Sequence, residues 1–141
     1  MNAADPAQSP RMSGELEGVS ALLVDDDADN LELIGYVLER AGCQVTTARS
    51  AAAALDALAK GSFGLLLSDI GLPEQDGLAL LREVRARGYD VPAIALTGYA
   101  DAENARKIRN AGYQRHLPKP VDLSALLAAA KDIVRGPPGA T

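Results

Sequence analysis

Five short runs with the character of strands, each followed by a segment with helical spacing, constrain the fold of this chain more than any other feature of its sequence. The runs are SALLV (20–24), CQVTTA (43–48), FGLLLS (63–68), VPAIALT (91–97) and YQRHL (113–117). Short continuous apolar runs bounded by turn residues are typical of strands that are covered on both faces. We therefore interpret the five runs as strands of one parallel sheet.

The segments that follow the runs are interpreted as helices, most of them with apolar residues on one helical face and the fourth polar and leaning to the surface. They are NLELIGYVLERAG (30–42), AAAALDALAK (51–60), DGLALLREVRARG (76–88), DAENARKIRNAG (101–112) and DLSALLAAAKDIV (122–134). Ser50 is expected to cap the second helix, and Gly42 and Gly61 are expected to end the first two. Right-handed crossovers then give a doubly wound α/β domain, with the flavodoxin-like strand order 2-1-3-4-5.

The length of 141 residues predicts a single domain between two tails. Residues 1–17 are rich in Ala, Pro, Ser, Gly and charge without periodicity, so we expect a disordered N-terminal tail. The final RGPPGAT stops the last helix. The predicted folded domain covers residues 18–135, and residues 136–141 form a C-terminal tail.

Composition argues against several classes of function. The formal net charge is −5 and no basic stripe is visible, so nucleic acid is not an expected partner. No apolar run is long enough to span a bilayer, and the N-terminus lacks the pattern of a secretory signal. Cys43 is the single cysteine, which favours a reducing compartment. We therefore predict a cytoplasmic protein that does not bind membranes.

Polar side chains follow the strands at the carboxyl edge of the predicted sheet. Asp25 and Asp26 follow strand 1, Asp69 follows strand 3, Thr97 ends strand 4 and Lys119 follows strand 5. Ligands of doubly wound sheets bind beyond this edge, next to strands 1 and 3. Carboxylates that converge there repel one another unless a cation binds. Their hard oxygen atoms favour Mg²⁺, and the single His and single Cys argue against zinc.

The acids after strand 1 also allow a purely structural interpretation. Acidic residues at a helix N-terminus stabilise the helix dipole by about 0.3–1 kcal/mol each. Asp27 and Asp29 are explained by this effect as capping and first-turn residues. Asp25 and Asp26 are better explained by a metal, because capping does not require them.

Four motifs give the chain a resemblance to the response-regulator receiver domains of two-component and phosphorelay signalling. They are LLVDDD, LLLSDIGLPEQDG, AIALTGYA and HLPKPVD, in that order. The wording of the last motif is similar to receivers associated with hybrid histidine kinases. The resemblance implies that Asp69 is the phosphoacceptor and that Mg²⁺ is held by Asp25, Asp26, Asp69 and the backbone carbonyl of Gly71.

The resemblance also implies roles for residues near the ends of strands 4 and 5. Thr97 would bind a phosphoryl oxygen through its hydroxyl, and Lys119 would pair with the phosphoryl group. Gly98 would leave room beside that group. Pro120 would follow a cis peptide bond, which costs an X–Pro bond only about 0.5–1 kcal/mol.

Receivers carry different residues at three positions, and the residues that this chain has there change the roles that the resemblance implies. His116 stands where receivers often carry a Tyr or Phe that switches rotamer with the threonine. Gly71 and Tyr99 occupy the positions that tune the lifetime of the aspartyl phosphate. Gly71 has no side chain to position an attacking water, and Tyr99 is interpreted as a recognition residue or a loop aromatic.

The predicted function is phosphoryl acceptance from a histidine kinase or a histidine phosphotransfer protein, rather than turnover of an external substrate. The donor is expected to contact the first helix around Asn30, Leu31 and Ile34. The signal would pass to a downstream target through the fourth helix, fifth strand and fifth helix, or onward by phosphorelay. A monomer or weak dimer is expected.

Three alternatives remain open at the level of sequence. In the first alternative, the chain is a receiver excised from a hybrid histidine kinase. The second is a hydrolase that uses an aspartyl phosphate, although such phosphatases place the nucleophile after strand 1. The third is a flavin- or nucleotide-binding protein, which would need a Gly-rich or Ser-rich loop where this chain has acids.

Overall fold

The computed structural model describes residues 16–72, 76–98 and 102–134. Strands and helices alternate along this part of the chain. The strands are β1 (Ser20–Val24), β2 (Gln44–Ala48), β3 (Leu65–Asp69), β4 (Ala93–Thr97) and β5 (Arg115–Pro118). The helices are α1 (Ala28–Arg40), α2 (Ala51–Lys60), α3 (Gly77–Ala86), α4 (Ala102–Ala111) and α5 (Leu123–Ile133).

All five strands are parallel and lie in the order β2-β1-β3-β4-β5, which confirms the predicted doubly wound α/β fold. The chain places β2 on one side of β1 and then crosses back to place β3, β4 and β5 on the other side, so the switch point of the topology lies between β1 and β3. Val24 lies beside Ser68 in the register of these two strands, so both strands end at the same edge. This is the edge at which the sequence predicts the site.

The sheet separates two aliphatic cores, because alternate residues of a strand point to opposite faces. On one face, Leu22, Leu66 and Ala95 pack with residues of α2, α3 and α4. On the other face, Leu23, Leu67 and Leu96 pack with residues of α1 and α5. Burial of both faces explains why the central strands β1, β3 and β4 are rich in apolar residues, whereas the edge strands β2 and β5 are largely exposed and more polar.

Side-chain caps fix the starts of α1, α2, α3 and α5. The Asp27 carboxylate accepts hydrogen bonds from the backbone N–H groups of Asp29 and Asn30, which confirms its predicted capping role. The Ser50 hydroxyl oxygen likewise accepts from the N–H of Ala53 at 3.1 Å. Because Asp27 is the cap, α1 begins at residue 28 rather than at residue 30.

Most element boundaries differ from the sequence prediction by one or two residues, and two of these differences lie near the predicted site. Asp69 is the last residue of β3 rather than the residue after it. At the start of β5, the N–H of Tyr113 is bonded to the carbonyl of Ile108 at the end of α4. This bond, together with burial of the phenol ring among residues of α2, α3 and α4, leaves Tyr113 outside the strand, which begins at Arg115.

Packing at the N-terminal side begins before the expected domain start. Leu16 is fully buried against Val19, Ala41 and other residues of the core that α1 and α5 cover. The predicted boundary at residue 18 therefore leaves out a core side chain. Residues 1–15 and 135–141, which include the rest of both predicted tails, lie outside the described residues. Among the described helices, none has both the length and the apolar character needed to cross a bilayer.

Candidate functional site

Three carboxylates meet at the carboxyl edge of the sheet. Asp25 follows β1 directly, Asp26 is next in the chain, and Asp69 ends β3, the neighbour of β1. One oxygen from each of the three lies within 4.8 Å of the others. Asp25 and Asp69 are buried, whereas Asp26 is exposed to solvent. The cluster is therefore open on the side of Asp26.

Lys119 brings a positive charge into this cluster. Its Nζ lies 3.0 Å from Oδ1 of Asp69 and 3.8 Å from Oδ2 of Asp25. The backbone N–H of Lys119 donates to the carbonyl of Thr97 at 2.8 Å, which ties the loop after β5 to the end of β4. The peptide bond between Lys119 and Pro120 is cis.

Hydrogen bonds from the backbone orient the two buried carboxylates. Asp25 accepts from the N–H of Asp27 at 2.9 Å and from the side-chain amide of Asn30 at 3.3 Å. Burial raises the pKa of Asp25, while the Asp27 hydrogen bond and the charge of Lys119 oppose the rise. Asp69 accepts from the N–H of Gly71 at 3.0 Å through the same Oδ1 that faces Lys119.

The donor set fits a hard divalent cation. Three carboxylates and one ammonium group leave two negative charges uncompensated in a cluster that is largely buried. Carboxylate oxygens are the protein ligands that Mg²⁺ prefers, and the open side at Asp26 suits an ion that keeps several waters. In the structure, Gly71 contacts the cluster by donating its N–H to Asp69. The predicted contact of its carbonyl with the metal stays a prediction.

Thr97 and Gly98 lie beside the acids. Thr97 ends β4, which pairs with β3, and is buried. Gly98 is exposed, and a Cβ added to it would meet no atom of the described residues within 4 Å, so these residues leave open space next to the end of β4. Tyr99 lies outside the described residues.

His116 occupies the predicted switch position on β5. It is half-buried and lies beside Ala95 in the register of β4 and β5. Ala95 and Thr97 point to the same face of the sheet because they are two residues apart on one strand. His116 therefore lies on the sheet face that Thr97 shares.

Sequence reasoning missed two residues around the cluster. Arg49 follows β2 and donates from Nη2 to the backbone carbonyl of Asp26 at 2.9 Å. Its position one residue after a strand is the sequence feature that could have placed it near the site. The Tyr113 hydroxyl donates to the carbonyl of Gly77 at 2.7 Å, behind Asp69. Nothing in its sequence context indicates this contact.

Comparison with known proteins identifies the family that shares this arrangement. The family model described as the response regulator receiver domain matches residues 21–131. A crystal structure of a CheY-like response regulator receiver domain protein from Methanospirillum hungatei JF-1 superposes with a TM-score of 0.76 at 34% identity. That match covers 81% of this chain and 91% of the other.

Two sequence relatives differ in how much of their length the chain spans. An uncharacterized 14.6 kDa protein in the sodA1 3′ region of Leptolyngbya boryana is 41% identical over 109 residues, covering 76% of this chain and 83% of that protein. The transcriptional regulatory protein FixJ of Azorhizobium caulinodans is 36% identical over 115 residues, covering 82% of this chain. The chain spans only 54% of the length of FixJ.

Proposed function

The chain belongs to the response-regulator receiver family, and on this basis we propose that Asp69 accepts a phosphoryl group in a Mg²⁺-dependent reaction. Receiver domains act in two-component signalling, where they interact with histidine kinases or histidine phosphotransfer proteins. The observation that carries the proposal is the contact of 3.0 Å between Lys119 and Asp69 inside the cluster of three carboxylates.

In the proposed reaction, a carboxylate oxygen of Asp69 attacks the phosphorus atom of the donor. An oxygen–phosphorus bond forms while the bond from phosphorus to the donor's leaving group breaks. The rigid end of β3 and the hydrogen bond from Gly71 orient the carboxylate for this attack. Lys119 then stabilises the negative charge of the phosphoryl oxygens that Asp69 has received.

Asp25, Asp26, Asp69 and the carbonyl of Gly71 are the proposed ligands of Mg²⁺. When bound, the ion neutralises negative charge on the transferring phosphoryl group. The hydroxyl of Thr97 binds one phosphoryl oxygen, and the open space at Gly98 admits the group.

The phosphodonor is proposed to dock beside α1. Among the large apolar side chains that the structure describes, Leu33 and Tyr36 are the exposed ones, and both lie on α1. Leu33 and Ile34 line a groove of about 140 Å³ that also contacts Lys119 and Pro120. A helix of a histidine kinase or histidine phosphotransfer protein placed there would bring its phosphohistidine to the acidic cluster.

The output is proposed to follow from movement of Thr97 toward the phosphoryl group. Such a movement shifts the loop after β4 and changes the surface formed by α4, β5 and α5. His116 lies on the same sheet face and is positioned to respond in place of an aromatic switch. The protein would act in the cytoplasm on a downstream target or as a relay, as a monomer or weak dimer, without turning over external substrates.

Intact mass measurement after incubation with Mg²⁺ and acetyl phosphate tests the proposal. We expect one phosphate adduct on the wild type and none on Asp69→Asn or after Mg²⁺ removal. Asp56→Asn, which removes an exposed carboxylate on α2, is the matched control and should keep the adduct. The absence of any adduct on the wild type would refute the proposal, and multiple turnover of generic phosphoesters would instead indicate a hydrolase.

A further inference from the structure

A buried phenol lies behind the phosphoacceptor and takes no part in the reaction described above. Tyr113 is 2% exposed and comes from the junction between α4 and β5. Its hydroxyl donates to the carbonyl of Gly77, the first residue of α3, at 2.7 Å. The hydrogen bond therefore joins two segments that are distant in the chain.

Gly77 packs directly on the backbone of Asp69. A Cβ added to Gly77 would lie 2.5 Å from the Asp69 carbonyl oxygen and 2.8 Å from Cα of Ile70. The N–H of Gly77 also donates to the carbonyl of Ile70 at 2.8 Å. Any displacement of the first turn of α3 is thus transmitted to the backbone that carries Asp69.

Ser68 also binds the backbone of the phosphoacceptor. Its hydroxyl is fully buried and lies 3.1 Å from the carbonyl oxygen of Asp69, to which it donates. The same carbonyl oxygen is the atom that a Cβ on Gly77 would meet first. The backbone of Asp69 is therefore bonded to Ser68 and packed against the glycine whose carbonyl Tyr113 binds.

The carbonyl of Gly77 does not need the Tyr113 hydroxyl as its hydrogen-bond donor. Gly77 is the first residue of α3, and a carbonyl at that position accepts a bond from the N–H four residues later. A phenylalanine would fill the same volume in this apolar core without the cost of burying a hydroxyl. Burial raises the pKa of Tyr113, so the phenol keeps its donor proton at neutral pH.

We propose that Tyr113 is a positioning residue for phosphoryl acceptance, because its hydroxyl holds the first turn of α3 against the end of β3 and so fixes the Asp69 carboxylate relative to Lys119. This inference rests on the proposed function of Asp69. It assigns to the α4–β5 junction a direct contact with the backbone around the reacting group.

The test compares Tyr113→Phe with the wild type, using the whole chain, saturating Mg²⁺ and a series of acetyl phosphate concentrations. Loss of one buried hydrogen bond of ordinary strength predicts a maximal phosphorylation rate about 3- to 10-fold lower. The apparent KM for acetyl phosphate should be nearly unchanged, because the groups that bind the donor are intact. Tyr89→Phe, three residues after the end of α3, is the matched control and should react like the wild type.

Amide hydrogen exchange gives a second measurement that a change in overall stability does not imitate. In Tyr113→Phe, exchange should rise in the peptide covering residues 69–80 and stay at the wild-type level in α1 and α5. Equal maximal rates for Tyr113→Phe and the wild type would overturn the inference while leaving the proposed function intact. A wild type that accepts no phosphate would overturn both, so the two failures are distinguishable.

Discussion

Residues 25–27 are three consecutive aspartates that perform different tasks in the structure. Asp27 caps α1, with its carboxylate bonded to backbone N–H groups of the first turn. Asp25 and Asp26 instead meet Asp69 across the ends of two strands. The capping carboxylate acts on the helix alone, whereas the clustered carboxylates repel one another even though Asp25 and Asp69 accept hydrogen bonds and face Lys119.

Replacing Asp26 by asparagine tests this difference between neighbouring acids. Without Mg²⁺, Asp26→Asn should raise the melting temperature by about 2–4 °C, because the substitution relieves repulsion with Asp25 and Asp69. The stabilisation that Mg²⁺ gives to the wild type should be much reduced, since the variant lacks a ligand. Thermal unfolding with and without Mg²⁺ measures both effects.

Asp29→Asn serves as the charge-matched control for that substitution. Asp29 is exposed in the first turn of α1, where a negative charge favours the helix dipole. Its replacement should leave the Mg²⁺ response unchanged and should not raise the melting temperature. An Asp26→Asn variant that behaves like Asp29→Asn would contradict the metal role of Asp26.

The sequence predicted that Asp25, Asp69 and Lys119 would converge, because parallel strands that carry them must end at one edge. It did not predict Arg49 or Tyr113 as neighbours of the site. Each of these side chains donates to a backbone carbonyl, in Asp26 and Gly77 respectively. A backbone carbonyl is present in every residue, so residue types and spacing do not identify the acceptor, although the position of Arg49 directly after β2 places it at the edge of the sheet where the site lies.

At the scale of secondary structure, the start of α3 is set by close contact with the end of β3. Gly77 follows its cap Asp76, whose carboxylate accepts from the N–H of Ala79 at 2.7 Å. The missing side chain lets the helix approach the Asp69 carbonyl. The sequence places a helix over this segment but contains no information on how closely that helix approaches the strand.

Two glycine substitutions test the approach of α3 to β3. Gly77→Ala should destabilise the fold by about 1–3 kcal/mol, because its Cβ overlaps backbone atoms that have little freedom to move. Gly98→Ala, also next to the site, should change the free energy of unfolding by no more than about 0.5 kcal/mol. Urea unfolding of both variants measures the difference, and equal stabilities would show that α3 can retreat at little cost.

At the scale of the whole molecule, the sheet divides the apolar side chains into two separate cores. The core on the α1 and α5 side is completed by Leu16, four residues before the first strand. Sequence analysis assigned this leucine to the tail, because one apolar residue among polar neighbours has no periodic pattern. The fold class itself was predicted correctly, since it depends on the repeated strand–helix pattern and on crossover handedness rather than on single residues.

Leu16→Ala in the whole chain tests whether the domain extends to this position. Truncation of a fully buried leucine should lower the free energy of unfolding by about 2–5 kcal/mol. Leu33→Ala removes the same atoms from a side chain that is 51% exposed and should cost much less. Chemical denaturation of the two variants provides the comparison, and a Leu16→Ala variant as stable as Leu33→Ala would assign Leu16 to the tail.

The strand order has a consequence for when the protein becomes competent to react. The groups of the site come from the ends of β1 and β3 and from the segment after β5, which is the last of the described strands in chain order. Chains in which β5 has not yet formed lack the backbone bond that ties Lys119 to Thr97 and do not hold Lys119 beside Asp69. For the function proposed above, phosphate acceptance at Asp69 would therefore require the sheet to be complete up to β5.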